Sequence, residues 1–174
     1  MANELYTRTN QKLYFATLAL DAWSAAEVAQ ALNAQAQVQG ARESALFHLY
    51  GALLGLCHEI AGFYRLSQAR VPEVEQLLTA EVLAAAPSPE LAELFELAQD
   101  RQSWLCRLLA AYHGLFEPPQ EAKKAKVDPA LELITAVNVG AVAEEAELEL
   151  ATLLDWQQQI KRLAVRFRQG MSEW

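Results

Sequence analysis

From Asn3 to about Ala34 the chain meets no residue that would stop an α-helix. A run of about 30 residues at 1.5 Å each makes a helix of about 45 Å, and whatever else folds must run alongside it. Asn3 is a good N-cap, and Glu4 stands in the first turn, where the helix dipole favours an acid. Between Lys12 and Asp21 only Thr17 is polar, so this middle section is expected to be covered on most sides. The rest of the chain agrees with a helical reading. Its 32 Ala and 28 Leu supply more than a third of 174 residues, against 7 Gly and 6 Pro. Both lose little side-chain freedom in a helix. No stretch alternates as a strand, and the expected fold class is all-α.

Gly40 is expected to break the chain, and a second long helix to follow from about Arg42 to Leu66. Pro72 fits the first turn of a shorter third helix ending near Ala85. Ser88-Pro89 reads as cap and first position of a fourth helix reaching about Gly114. Phe116 to Val127, rich in charge and proline, reads as a mobile linker. Asp128-Pro129 then reopens a helix, Asn138-Val139-Gly140 interrupts it, and a last helix spans about 142–169 and closes at Gly170. Four long helices, one or two short ones and mostly short loops predict an up-and-down bundle over one domain, residues 1–174. With 53% of residues hydrophobic, an apolar stripe left over would be covered by a second copy, so a homodimer is expected.

The net charge of −8 argues against DNA as a partner, because such binding rests on cations neutralising phosphates. Residues 72–100 carry seven acids and no Lys or Arg, whereas the tail from Gln157 carries Lys161, Arg162, Arg166 and Arg168 against Glu173. These read as two solvated helix faces, or as a basic tail that docks an acidic partner. Cys57 and Cys106 lie in apolar helical runs and match neither a zinc motif nor a disulfide framework. The N-terminus lacks a signal-peptide layout, and the longest apolar stretch is interrupted by His48, His58 and Glu59. No membrane and a cytoplasmic location are expected.

The second helix carries the informative pattern. At about 100° per residue, one face holds Leu46, Leu49, Tyr50, Leu53, Leu56, Cys57, Ile60 and Tyr64, an ordinary core face. The opposite face holds His48, Gly51, Ala52, Gly55, His58, Glu59 and Gly62, every one either very small or ionisable. Each interior glycine costs about 1 kcal/mol relative to alanine, so three on one stripe imply that something approaches the backbone. Either another helix packs there, with the ionisable groups satisfied at its edges, or the stripe lines a groove with His48, His58 and Glu59 as polar handles.

Catalytic and metal chemistry find little support. His48 and His58 are ten residues apart, about 15 Å along the axis, and cannot share an ion. The zinc-protease pattern fails because Gly62 stands where the second His belongs, and the di-iron Glu-x-x-His pair fails at Ala45 and Gly55. His113 brings no second ligand at metal spacing. Neither a nucleophile elbow nor a phosphate loop occurs. No metal or cofactor is expected. Glu59 could act as a general acid or base, or be a buried carboxylate paired with Lys12 or an Arg from another helix.

The run Asn3–Ala16, with Asn-Glu-Leu-Tyr-Thr-Arg-Thr-Asn-Gln-Lys-Leu-Tyr-Phe-Ala, and the run Ala45–Leu66 resemble a bacterial family of small uncharacterised helical proteins. That resemblance implies a bacterial cytosolic origin and no activity. Arg42-Glu-Ser-Ala-Leu-Phe-His48-Leu-Tyr50 resembles in part the Arg-x-His motif of HEPN-class ribonucleases. It implies Arg42 and His48 acting on RNA across a dimer, with Tyr50 in support. On one helix Arg42 and His48 point about 120° apart, so they converge only if Arg42 precedes the first turn. The leading expectation is a non-enzymatic interaction or scaffold protein, a homodimer presenting its groove or charged face to a protein partner. The alternatives are the ribonuclease and a small-ligand-binding bundle.

Overall fold

The computed structural model describes residues 2–118 and 148–172. Helix α1 spans Ala2–Ala29, α2 Ala34–Phe63, α3 Ala80–Ala85, α4 Pro89–Gln99, α5 Trp104–Gly114 and α6 Leu150–Ser172, with a 3₁₀ turn at Val74–Gln76. The fold is all-α, as composition and periodicity predict. The expected linker at 119–127, the Asp128-Pro129 cap and the break at Asn138–Gly140 lie outside the described residues; Phe116 to Pro118 are non-helical.

Several boundaries differ from the sequence reading. Gly40 does not break the chain but sits inside α2, on an open side where an added Cβ would meet nothing within 4 Å. One glycine costs about 1 kcal/mol, too little to interrupt a helix packed along its length. The turn falls instead at Gln30–Asn33, where Gln30 adopts a left-handed backbone with φ of 46°. Pro72 does not open a helix; the 3₁₀ turn intervenes, and α3 starts behind Thr79, whose hydroxyl accepts from the Val82 amide at 3.2 Å. The fourth helix is really two. Asp100 ends α4, its carboxylate accepting from the Gln102 amide at 2.9 Å, and Ser103 caps α5 through the Cys106 amide at 3.0 Å. Ser88 and Pro89 start α4 as expected. Helix α6 begins at Leu150 and runs through Gly170 to Ser172; of the expected earlier start, Leu148 and Glu149 are non-helical and 142–147 lie outside the described residues.

Helices α1 and α2 form an antiparallel hairpin whose register reads from three contacts: Thr9 on Gly55, Lys12 on Gly51 and Phe15 on His48. Helix α6 closes onto both, its Gln157 amide donating to the Leu13 carbonyl at 3.1 Å and to the Thr17 hydroxyl at 2.7 Å. Helix α2 is the axis of the fold, touching α1, α4, α5, α6 and the 3₁₀ turn. Leu46, Leu49, Leu53, Leu56 and Ile60 fill the core with Leu20, Trp23, Leu91, Leu105, Leu108, Leu153 and Trp156. Ala52, Gly55 and Glu59, on the opposite side, are equally buried. By length and composition α2 would suffice to cross a membrane, yet 61% of its apolar window is buried inside the fold, as in the core helix of a bundle.

Arg166 of the basic tail pairs with Glu93 of the acidic segment, whereas Arg168 pairs with Glu59 of α2.

Candidate functional site

The small-residue side of α2 divides into a closed half and an open half. At the closed end α1 lies directly on the backbone. A Cβ at Gly55 would stand 2.7 Å from Thr9 Oγ1 and 3.3 Å from the Thr9 Cα and N atoms, so only glycine admits this approach. The Thr9 hydroxyl, fully buried, donates to Glu59 Oε1. Arg168 of α6 forks onto the same carboxylate, Nε to Oε2 and Nη2 to Oε1, both at 2.8 Å. Its Nη1 donates to Asn10 Oδ1 at 3.1 Å, and the guanidinium lies over the Tyr6 ring. The Glu59 side chain is 0% exposed, so a carboxylate without these partners would be costly. Hydrogen bonding to Glu59 raises the Arg168 pKa further above its ordinary value. Of the alternatives raised for Glu59, the arrangement is the carboxylate paired with an Arg from another helix. Every oxygen is occupied, which suits clamping α1, α2 and α6 better than proton transfer.

The open half begins one turn earlier. The atoms nearest a Cβ built at Gly51 belong to the stem of Lys12, whose Cδ would lie 3.1 Å away. Beside it a cleft of about 270 Å³ runs between α1, α2 and α5, walled by Arg8, Lys12, Phe47, Leu54, His58, Pro72 and Tyr112. Lys12 Nζ sits 4.9 Å from the centre of the Phe47 ring, a cation–π contact. Burial, and secondarily the charge of Arg8, lowers the Lys12 pKa. Tyr112 stacks on Tyr50 with centroids 3.7 Å apart and planes within 6°. The Tyr50 hydroxyl donates to Glu75 at 2.9 Å and accepts from the Val74 amide at 3.0 Å, while His113 Nε2 holds the other Glu75 oxygen at 2.7 Å. Burial first, then the Glu75 carboxylate, pushes the Tyr50 phenol up. The aromatic wall is thus pinned from behind.

The histidines have different environments. His58 Nε2 donates to the Val71 carbonyl at 2.8 Å; a carbonyl can only accept, so this nitrogen carries the proton. His48 lies between Phe15 and Phe47, with ring centroids at 5.3 and 5.5 Å. Its buried Nδ1 has no hydrogen-bond partner among the described residues. Burial, and then Lys12, lowers its pKa. Gly62 is half-buried near the end of the helix. Arg42 and His48 are not brought together: α2 is continuous from Ala34, leaving them about 120° apart around its axis. Among the described residues no three His, Cys, Asp or Glu side chains gather as metal ligands would. Arg8 on α1 and Tyr112 on α5 escaped the sequence reading because no local spacing links them to α2, and Lys12, expected as a partner for Glu59, stands at the cleft instead.

The profile of one protein family matches residues 1–174, the whole chain. The chain belongs to DUF6586, a family of unknown function. No curated protein and no solved structure matches it. Membership in DUF6586 therefore carries no activity or ligand, and the cleft has to be read from its own chemistry.

Proposed function

We propose that this protein is a non-enzymatic binding protein of the bacterial cytosol, and that the cleft between α1, α2 and α5 receives a small ligand. One observation carries the reading: α1 backbone packs on α2 at Gly55, whereas the nearest cover at Gly51 is the flexible side chain of Lys12, and a cleft of about 270 Å³ opens beside them. Ligand sites are typically concave, mostly apolar and furnished with a few polar groups, and this cleft combines Leu54, Phe47, Pro72 and Tyr112 with Arg8, Lys12 and His58. Against catalysis stands the commitment of Glu59 to Arg168 and Thr9, and of Glu75 to Tyr50 and His113. Thermal-shift screening of a metabolite library against wild type and Gly51→Leu tests it. Compounds that raise the melting temperature of wild type are expected to lose their effect in the variant, whose new side chain occupies the cleft. A library without hits, or hits indifferent to the substitution, would refute the reading.

A second reading, a protein-interaction surface closed by a second copy, draws on Tyr14 and Leu18. These lie one turn apart on α1 and are 60% and 48% exposed. Sedimentation of wild type and Leu18→Lys tests it; a dimer that the variant dissolves supports it, and a monomeric wild type retires it.

A further inference from the structure

Taking as given that the cleft is a binding site, we propose that its ligand is a small aromatic anion, a single ring bearing a carboxylate or phosphate. The acid group would sit between Arg8 and Lys12, and the ring against Tyr112 and Pro72.

The charge argument comes first. In a chain of net charge −8, the walls of this cleft include two cations and no acid. Arg8 and Lys12 are one turn apart on α1, so their side chains project toward the same space. Among the described residues neither is paired with a carboxylate: Arg8 makes a long 3.5 Å contact with Gln11, and Lys12 lies against the Phe47 ring. The nearby carboxylates are engaged elsewhere, Glu59 by Arg168 and Thr9, Glu75 by Tyr50 and His113. Two like charges held together at a partly desolvated site are stabilised by an oxyanion, to which an arginine fork and an ammonium both donate.

The shape argument selects the rest of the molecule. Beyond the cations and His58 the walls are mostly apolar, with the rings of Phe47 and Tyr112, Pro72 and Leu54, and Gly51 lies beneath the Lys12 stem. Such walls favour a planar ring, which gains by offset or edge-on contact with Tyr112. A cleft of about 270 Å³ falls just below the range of about 300–1,000 Å³ that holds drug-sized ligands, so one ring and one acid group suit it. A second cationic depression, on α6 at Lys161, Arg162, Val165, Arg166 and Gln169, has no aromatic wall among the described residues, and its Arg166 is already paired with Glu93.

Titration calorimetry with four probes tests this: benzoate, phenyl phosphate, inorganic phosphate and benzyl alcohol, on wild type, Lys12→Met and Arg8→Gln. At least one aryl anion is expected to bind one to one. Inorganic phosphate, lacking the ring, and benzyl alcohol, lacking the charge, should each bind at least tenfold more weakly. Lys12→Met keeps the apolar stem over Gly51 and should weaken the aryl anion at least tenfold at unchanged melting temperature; exposed Arg8→Gln provides a second variant whose folding is not at risk. Benzyl alcohol binding as well as benzoate, or aryl anions indifferent to both substitutions, would overturn the anion assignment while leaving the cleft as a site. Silence from all four probes overturns the assignment too. If the metabolite screen is also without hits, the binding reading falls with it.

Discussion

Two glycines on one face of α2 should respond in opposite ways to a single methyl group. At Gly55 the added Cβ would lie 2.7 Å from Thr9 Oγ1 and 3.3 Å from two backbone atoms of Thr9. Backbone cannot step aside, so α1 must lift or Thr9 must rotate and release Glu59. Overpacking of this kind costs about 1–3 kcal/mol. A lost hydrogen bond to a charged group adds about 1.5–3 kcal/mol. Replacing glycine by alanine in a helix returns about 1 kcal/mol. Gly55→Ala is therefore expected to destabilise by about 1.5–5 kcal/mol, a fall in melting temperature of roughly 3–20 °C for a chain of this size. At Gly51 the atoms nearest the same methyl are Cδ and Cε of the Lys12 side chain, at 3.1 and 3.2 Å, which can swing away. There the propensity gain prevails, and Gly51→Ala is expected to be neutral or up to about 1 kcal/mol more stable. Urea unfolding followed by far-UV circular dichroism reads both. Equal effects at the two positions, or a Gly55→Ala protein as stable as wild type, would refute the packing argument.

Arg168→Met removes the cation from a carboxylate with no exposed side-chain surface and should cost about 3 kcal/mol in urea unfolding; the double variant Glu59→Leu/Arg168→Met should cost less than the sum of the single changes. His48 titrates below its ordinary value of 6.5 in the folded protein, so the unfolded chain binds more protons in acid, and stability falls as pH drops below 6.5. His48→Phe keeps the ring contacts with Phe15 and Phe47, removes the unpartnered Nδ1, and should unfold at pH 7.5 no more easily than wild type and with a shallower acid slope. Cys57 is fully buried, its thiol pushed up to about 12, so iodoacetamide at pH 8 should label half-buried Cys106 first and Cys57 only on unfolding. With Arg42 and His48 apart, the purified protein should leave RNA intact, and cleavage that vanishes in His48→Ala would contradict this arrangement.

What the sequence discloses is what periodicity carries. The two faces of α2 follow from a 100° wheel, and Ser88-Pro89 announces the start of α4 by local chemistry alone. Gly40 misled because a breaker acts only where tertiary contacts do not outweigh it, while the real turn uses Gln30 in a left-handed conformation that its side chain does not advertise. Asp100-x-x-Ser103 was readable as a stop followed by a cap, and the unbroken apolar run after it hid that signal. The partners of Glu59 lie 50 residues before it and 109 after it, a distance no local pattern spans. Likewise the cleft is assembled from α1, α2 and α5, and only folding places Arg8 and Lys12 opposite Tyr112.

Amide nuclear magnetic resonance during titrations with benzoate and with phenyl phosphate puts the account to its most direct trial. The signals of Gly51, Leu54, Gly55 and Tyr112 should move together and saturate, while those of Lys161 and Arg162 on α6 stay still. Shifts confined to α6, or none near Gly51 at any concentration of either anion, would contradict it.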